Sequence, residues 1–313
     1  MRFYVGVTDY DWFSIHTSKE VVAEVNFWKP SESATFKALS FGGIFLFKLH
    51  SPRNFIVGGG FFTQFLQIPL SLAWESFGEA NGARTLSEMR QRISKYRRVA
   101  ISPLDDVKIG CVILAEPFFF PESSWIPMPE NFKLNTVVGK TYESEDNGPG
   151  HRLWHQVNDR LAFVRASLLN PGPALVAAAD ARYGNARLVM PRLGQGGFRV
   201  LITDAYERRC AITNERTLPV LEAAHIRPYV QGGAHELSNG LLLRSDLHTL
   251  FDRGYVTIDP EDQRILVSQR IREEFKNGRE YYQLHGRDLR LPANPIAIPS
   301  RESLQFHAEN VFR

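Results

Sequence analysis

The chain has 313 residues, 43% of them hydrophobic, which is long for one core and points to two domains. No apolar run approaches the roughly 20 residues needed to span a bilayer, and the acid-bearing opening MRFYVGVTDYDWF does not read as a secretory signal, so a cytoplasmic protein without a membrane partner is expected. A net charge of +3 argues only weakly for a nucleic-acid partner, and two distant cysteines, Cys111 and Cys210, without any CxxC pair read as free thiols rather than a zinc knuckle.

In chain order, the first 140 residues read as mostly β with one or two helices. GGIFLFKLH (42–50) is apolar at most positions, as a strand buried on both faces would be. NFIVGGGFF (54–62) is a second apolar run whose glycines permit a bulge, and VKIGCVILAEPFFF (107–120) is a third. SLAWESFG (71–78) and RTLSEMRQRISKYRR (84–98) read as helices, the second surrounded by Arg90, Arg92, Lys95, Arg97 and Arg98. TYESEDNGPGH (141–151) has linker composition. Residues 152–182 read as helical with a break at NPGP (170–173), and a second break spans 183–197. GFRVLITDAYERRC then reads as an amphipathic helix, with Arg199, Arg208 and Arg209 off its apolar stripe.

Basic residues change type along the chain. Residues 1–150 hold eight Lys and seven Arg; residues 151–313 hold one Lys, Lys276, and 21 Arg. Arginine suits bidentate phosphate contacts, although the same residues serve equally in surface ion pairs.

The densest chemistry lies in LEAAHIRPYVQGGAHELSNGLLLRSDLHTLFDRG, residues 221–254. VLEAAHI is a short apolar strand stopped near Pro228; QGGAHELSNG is a loop; LLL is a second strand; SDLHTLFDRG starts with a Ser-Asp cap signal and closes on Gly254 as a short helix. On that helix His248 and Asp252 are four residues apart and project from one face, where an imidazole and a carboxylate can grip one divalent cation. On the first strand Glu222 and Ala224 share a face and His225 points to the other, unless the strand end bends. Asn239 sits at the turn between the strands. Gly194–Gly197 is glycine-rich and precedes a helix, so it reads either as a phosphate contact or as a flexible entry.

AAHIRPY, SNGLLLRSDLH and LFDRG together resemble the HNH nuclease motif, a ββα-metal fold, in the version common in bacterial restriction-type endonucleases. The resemblance runs from about Pro191 to the C-terminal PSRESLQFHAENVF. It implies metal-assisted phosphodiester hydrolysis, with His225, Asn239 and His248 as the catalytic set. His225 would be the general base, since its ordinary pKa suits proton abstraction near neutrality. Asn239 would orient it. His248 and Asp252 would hold one divalent ion per site, Mg²⁺ before Mn²⁺, Ni²⁺ or Zn²⁺, and Arg244, Arg253 or Arg227 would contact phosphate. Family members often carry a metal-binding Asp or His just before the base, and here that place is Ala224. Glu222 is the residue expected to reach in instead; without it the ion has two protein ligands and binds weakly without DNA.

The N-terminal stretch VNFWKPS…FKALSFGGIFLFKLH…NFIVGGGFF resembles PUA-like β-barrels, the class of EVE, ASCH and SRA modules. Several such modules take a flipped, modified base into an aromatic pocket. Tyr10, Trp12, Phe27, Trp28, Phe36 and Trp74 supply aromatics, with Trp28, Trp12 and Tyr10 as the base-pocket candidates, and helix 84–98 could follow phosphates. The expected chain is therefore α+β: a PUA-like barrel with flanking helices that selects DNA (1–140), a helical connector (141–190) and an HNH endonuclease domain (191–313). It would act as a homodimer on double-stranded DNA carrying modified cytosine. The competing readings are a non-catalytic DNA reader with a degenerate HNH fold, supported by Ala224, and a nuclease toxin, which would call for a delivery segment.

Overall fold

The structure, a computed structural model, describes residues 1–18, 22–33, 35–136, 138–145, 147–168, 194–228 and 236–313. The expected break at 170–173, the part of the expected 183–197 break up to 193, and residues 231–235 of the glycine loop lie outside the described residues; the end of the second break is corrected, since a helix already starts at Gln195. The chain divides into two units, Met1–Arg192 and Leu193–Arg313. No described helix is long and apolar enough to cross a membrane.

The first unit is built on β1 (Arg2–Thr8), α1 (Tyr10–Thr17), β2 (Glu24–Lys29), β3 (Ile44–Leu49), β4 (Phe55–Pro69), α2 (Leu70–Phe77), α3 (Leu86–Arg97), β5 (Lys108–Phe119), β6 (Ile126–Pro127), β7 (Gly139–Glu143) and α4 (Pro149–Leu168). The sheet runs β2-β5-β4-β3-β1-β7, with β6 paired to β4. Among the described strands of this sheet only β1 and β3 are parallel, in register Phe3 to Ile44 through Thr8 to Leu49. The α+β class is as expected. The described ladders form an open path, and none of them joins its ends, β2 and β7.

Strand β3 shows why both faces are covered. Phe45, Phe47 and Leu49 pack into one core with Tyr4, Trp12, Phe13 and Phe27, while Ile44 and Leu46 pack into another with Phe3, Phe118, Phe120 and Val157. The alternation follows the two-residue period of a strand. Helix α1 closes the first core through Trp12 and Phe13; α4 closes the second through Leu153 and Val157. Burying each such side chain contributes on the order of 1.5–3 kcal/mol. Lys48, also inside, is satisfied by Asn54 Oδ1 at 2.7 Å and the Leu49 carbonyl at 3.1 Å. The glycines of β4 coincide with a register shift between Gly59 and Phe61.

The linker expected at 141–151 is corrected here. Residues 139–143 form the edge strand β7 on β1, with Tyr142 buried, and α4 starts at Pro149 and packs on the sheet. An edge strand that buries one residue keeps the polar composition of a loop.

The second unit holds α5 (Gln195–Ala205), β8 (Leu221–His225), β9 (Gly240–Arg244), α6 (Ser245–Asp252), β10 (Val256–Ile258), β11 (Ile265–Val267), α7 (Arg270–Phe275), α8 (Arg279–Tyr282) and α9 (Arg301–Asn310). Strands β8 and β9 pair antiparallel from Leu221–Arg244 to His225–Gly240. Leu241, Leu242 and Leu243 are all fully buried, among Phe198, Ile202, Tyr206, Leu247 and Phe251. Helix α5 lies so close to the strand turn that a Cβ at Gly240 would stand 2.3 Å from Ile202 Cδ1. Gly254 ends the ββα element at φ 73°, where a Cβ would meet the Val311 carbonyl at 1.9 Å. The cap signal differs from expectation. Arg244 occupies the N-cap position, Ser245 is already helical, and Asp246 binds Arg244.

Candidate active site

Four of the expected residues meet in one cleft of about 430 Å³, whose lining includes Arg199, Glu222, His225, His248 and Asp252. Strand β8 delivers Glu222 and His225, and α6 delivers His248 and Asp252 one turn apart. The His248 ring is held at both nitrogens: Nδ1 donates to Glu222 Oε2 at 2.6 Å, and Nε2 lies 3.3 Å from Asp252 Oδ2. Burial pushes the Asp252 carboxyl above its ordinary pKa; the Glu222 charge adds to that shift and His248 opposes it. The imidazole of His225 stacks on Phe198 with centroids 3.9 Å apart and planes at 11°. A flat ring at that distance fixes the plane in which the His225 nitrogens lie.

Asn239 is buried and pins the chain that follows His225. Its Oδ1 accepts from the Arg227 amide at 2.9 Å, its Nδ2 donates to the Arg227 carbonyl at 3.0 Å, and its own carbonyl accepts from the Ile226 amide at 3.0 Å. The turn residue thus fixes the end of β8, and with it the backbone from which His225 projects.

Residues 210–259 match the family model described as HNH endonuclease. This unit carries an HNH endonuclease domain. The "Modification dependent TagI restriction endonuclease" is a solved structure similar to the chain; the two are 11% identical over 94% of this chain and 77% of that one, at a TM-score of 0.27. That score is too low to equate the two folds. No curated protein matches the chain.

Within the HNH domain the arginines fall elsewhere than expected. Arg244 forms a bidentate pair with Asp246, at 2.6 and 2.7 Å, outside the cleft lining. Arg227 covers the Phe306 ring at 4.6 Å and faces Glu302 at 3.9 Å. Arg253 is exposed and does not line the cleft. Ion pairs also hold Arg270 to Glu274 and Arg290 to Glu207, so many of the C-terminal arginines serve the fold. The arginine that lines the cleft is instead Arg199, which lies off the apolar stripe of its helix in the sequence. Helical periodicity was the available signal: Gln195, Phe198 and Arg199 share one face of α5 and all line the cleft.

Ala224 is fully buried in the core of the HNH domain and does not line the cleft, so the position just before His225 supplies no wall of it. Glu222, Ala223 and His225 of β8 all line the cleft. Among the described residues no group of three or more His, Cys, Asp or Glu side chains is arranged around a point where a metal ion would sit. Glu222, His248 and Asp252 stand in line, with the imidazole in the middle.

The first unit has its own cavity of about 410 Å³, lined by Asp9, Trp12, Phe27, Trp28, Tyr96 and neighbours. The Trp28 indole donates to the Asn81 carbonyl at 2.9 Å, and its ring meets Tyr96 edge-on at 6.0 Å. The Tyr96 hydroxyl donates to the Asp9 carboxylate, both of whose oxygens lie 2.6 Å away; burial first, and that carboxylate second, push the phenol up. Trp28 and Trp12 both line this cavity, with Trp12 mostly enclosed by Phe27 and Phe47. Tyr10 does not line it: Arg53 covers its ring at 3.8 Å. Phe36 is in the core. Tyr96, on α3, was not among the aromatics expected there. On α3, Arg92 binds Glu88 at 2.6 Å and Arg97 reaches the Pro30 carbonyl at 2.5 Å, so these two support the fold rather than a phosphate track.

Proposed function

We propose that the chain is a metal-dependent DNA endonuclease of the restriction or defence type, and that its first unit selects DNA bearing modified cytosine. The meeting of His225, His248, Asp252 and Glu222 in one cleft carries this reading. His225, oriented by Phe198 and by the Asn239 clamp, takes the proton from the attacking water.

HNH endonucleases generally depend on a divalent metal, and the donors present fit one. Metal–ligand distances of about 2.0–2.2 Å at tetrahedral or octahedral angles set two neighbouring donors roughly 3.0–3.4 Å apart; His248 Nε2 and Asp252 Oδ2 are 3.3 Å apart. His248 and Asp252 would hold the ion. When bound, it supplies Lewis-acid polarisation of the phosphate and charge neutralisation at the leaving oxygen. Glu222, on the opposite ring nitrogen, keeps the hydrogen on Nδ1 and the Nε2 lone pair toward Asp252, an orienting role rather than the direct ligation expected from the sequence. A two-residue set suits a hard, water-rich ion such as Mg²⁺ or Mn²⁺.

In the first unit the aromatic walls formed by Trp28, Tyr96 and Phe27 suit a flat heterocycle, and Asp9 offers an acceptor to an exocyclic amine. Two strand cuts call for two active sites, so the working enzyme is a homodimer. The test is digestion of matched plasmids carrying unmodified, methylated, hydroxymethylated or glucosylated cytosine, with Mg²⁺ or Mn²⁺. The wild type cuts a modified plasmid faster, and His225→Ala loses about 10²–10⁴ in rate. Equal cutting of all four plasmids removes the selector; a His225→Ala protein that cuts at the wild-type rate removes the active site.

A further inference from the structure

We infer that, with His248 and Asp252 holding the ion as proposed above, His307 is a positioning residue for that pair and sets Asp252 through the backbone of Phe251. His248 and Asp252 both lie on α6, and Asp252 is the last residue of the helix. The carbonyls of a helix's last turn lack intrahelical partners, and such a turn frays unless something outside it holds them. Two donors one turn apart keep their spacing only while both ends of that turn stay in place.

His307, on α9, is 1% exposed and meets Phe251 twice. Its imidazole lies flat on the Phe251 ring, with centroids 3.7 Å apart and planes at 13°. Its Nε2 lies 3.1 Å from the Phe251 carbonyl. A carbonyl can only accept, so the hydrogen sits on Nε2, and Nδ1 accepts from the buried Thr257 hydroxyl of β10 at 2.8 Å. Both ring nitrogens are used within the protein, so His307, although it lines the cleft, acts as a support for its wall. The chain beyond His307 grips the same turn at a second point. The Val311 and Phe312 amides donate to the His307 carbonyl at 3.0 and 2.9 Å, and the Arg313 amide donates to the Gly254 carbonyl at 2.9 Å. Asp252 is thus bracketed, with Phe251 fixed before it and Gly254 after it. From that fixed backbone its carboxylate reaches within 3.3 Å of His248 Nε2.

The test uses the full chain without DNA, measuring Mn²⁺ affinity by isothermal titration and the melting temperature in the absence of metal. His307→Phe keeps the stacked ring and removes the donor to the Phe251 carbonyl; its Mn²⁺ affinity should fall about tenfold, the lower end for a group acting through a neighbour of the ligand. His307→Gln keeps an N–H where Nε2 stands and should lose less than about threefold. Thr257→Val keeps its shape but lets the hydrogen leave Nε2; it should weaken Mn²⁺ by about threefold, and it decides the matter should the His307 variants fail to fold. A merely structural histidine would lower the melting temperature in both His307 variants and leave the Mn²⁺ constant unmoved. If His307→Phe binds Mn²⁺ within twofold of the wild type, or if His307→Gln loses as much as His307→Phe, the positioning role is overturned and the metal pair stands. If His248→Ala binds Mn²⁺ as the wild type does, the ion is held elsewhere and both readings fall.

Discussion

The two cavities are nearly equal in size, about 430 Å³ in the HNH domain and 410 Å³ in the first unit, and opposite in chemistry. One is lined by three histidines, two carboxylates and an arginine, drawn from a strand end and three helices. The other sets indole, phenol and phenyl rings around a single carboxylate, Asp9. The difference teaches what each can do. Charged groups that face one another bind ions and move protons, and their geometry tolerates little error. Aromatic walls take a flat ring by area and leave discrimination to a few hydrogen bonds. The comparison also separates how the side chains are held: His248 is held by the Glu222 carboxylate, whereas Trp28 is held by one backbone carbonyl.

The largest expected effect that separates the two regions is acid sensitivity. His307 is almost fully buried and lines the cleft: its Nε2 donates to the Phe251 carbonyl at 3.1 Å, and its Nδ1 accepts from Thr257 Oγ1 at 2.8 Å. Burial depresses its pKa to about 4, against a smaller opposing effect of the Phe251 carbonyl. The unfolded chain, with an ordinary histidine near 6.5, therefore binds more protons between those values. Stability from this group is complete above pH 6.5 and is lost as pH falls toward about 4, a change of about 3 kcal/mol. All five tryptophans lie within residues 1–192, so tryptophan fluorescence reports the first unit and far-ultraviolet circular dichroism reports both. Urea unfolding at pH 7 and pH 4.5 should weaken a dichroism transition that fluorescence does not see, and His307→Gln should flatten that dependence. A fluorescence-silent transition that keeps its midpoint at both pH values counts against the assignment.

Much of the HNH domain was legible because its signals are local. The strand, loop, strand and helix of residues 220–254, together with His225, Asn239, His248 and Asp252, fall within one short stretch, and period-2 and period-3.6 patterns place them. What was not legible depends on distant contacts. Arg199 reaches the cleft from a helix that precedes the motif. Arg244 looked available until Asp246 turned back onto it. Ala224 looked like a missing ligand because burial cannot be read from one strand alone. In the first unit, the buried runs at 44–49 and 108–119 announced themselves by composition, but β7 did not, and β1 pairs in parallel with a strand some 40 residues away. Sequence-local pattern says nothing of such a ladder.

A smaller effect separates a ligand from an orienting group inside the charged cavity. Glu222→Gln keeps the size of the side chain and can still accept from His248 Nδ1, but loses the charge. Its cation affinity, measured by isothermal titration with Mn²⁺, should fall about 10- to 100-fold. His248→Ala should abolish measurable binding. Should Glu222→Gln abolish it as completely, Glu222 is itself a ligand, and the in-line arrangement of the three side chains opens when the ion binds.

The smallest effect tests the aromatic cavity by the bond that aims it. Trp28→Phe keeps an aromatic face and removes the indole N–H that donates to the Asn81 carbonyl at 2.9 Å. That carbonyl belongs to a buried residue whose side-chain amide also binds the Ala73 and Gly78 carbonyls, at 3.0 and 2.8 Å, so it is rigid and does not follow a smaller ring. Losing one hydrogen bond of this kind costs about 0.5–1.5 kcal/mol, roughly two- to tenfold in a binding constant. The loss should appear only for modified plasmid, as a higher KM at unchanged kcat, because the altered ring lies outside the HNH domain. Equal losses on modified and unmodified DNA would mean that Trp28 supports the fold of its unit and does not read a base.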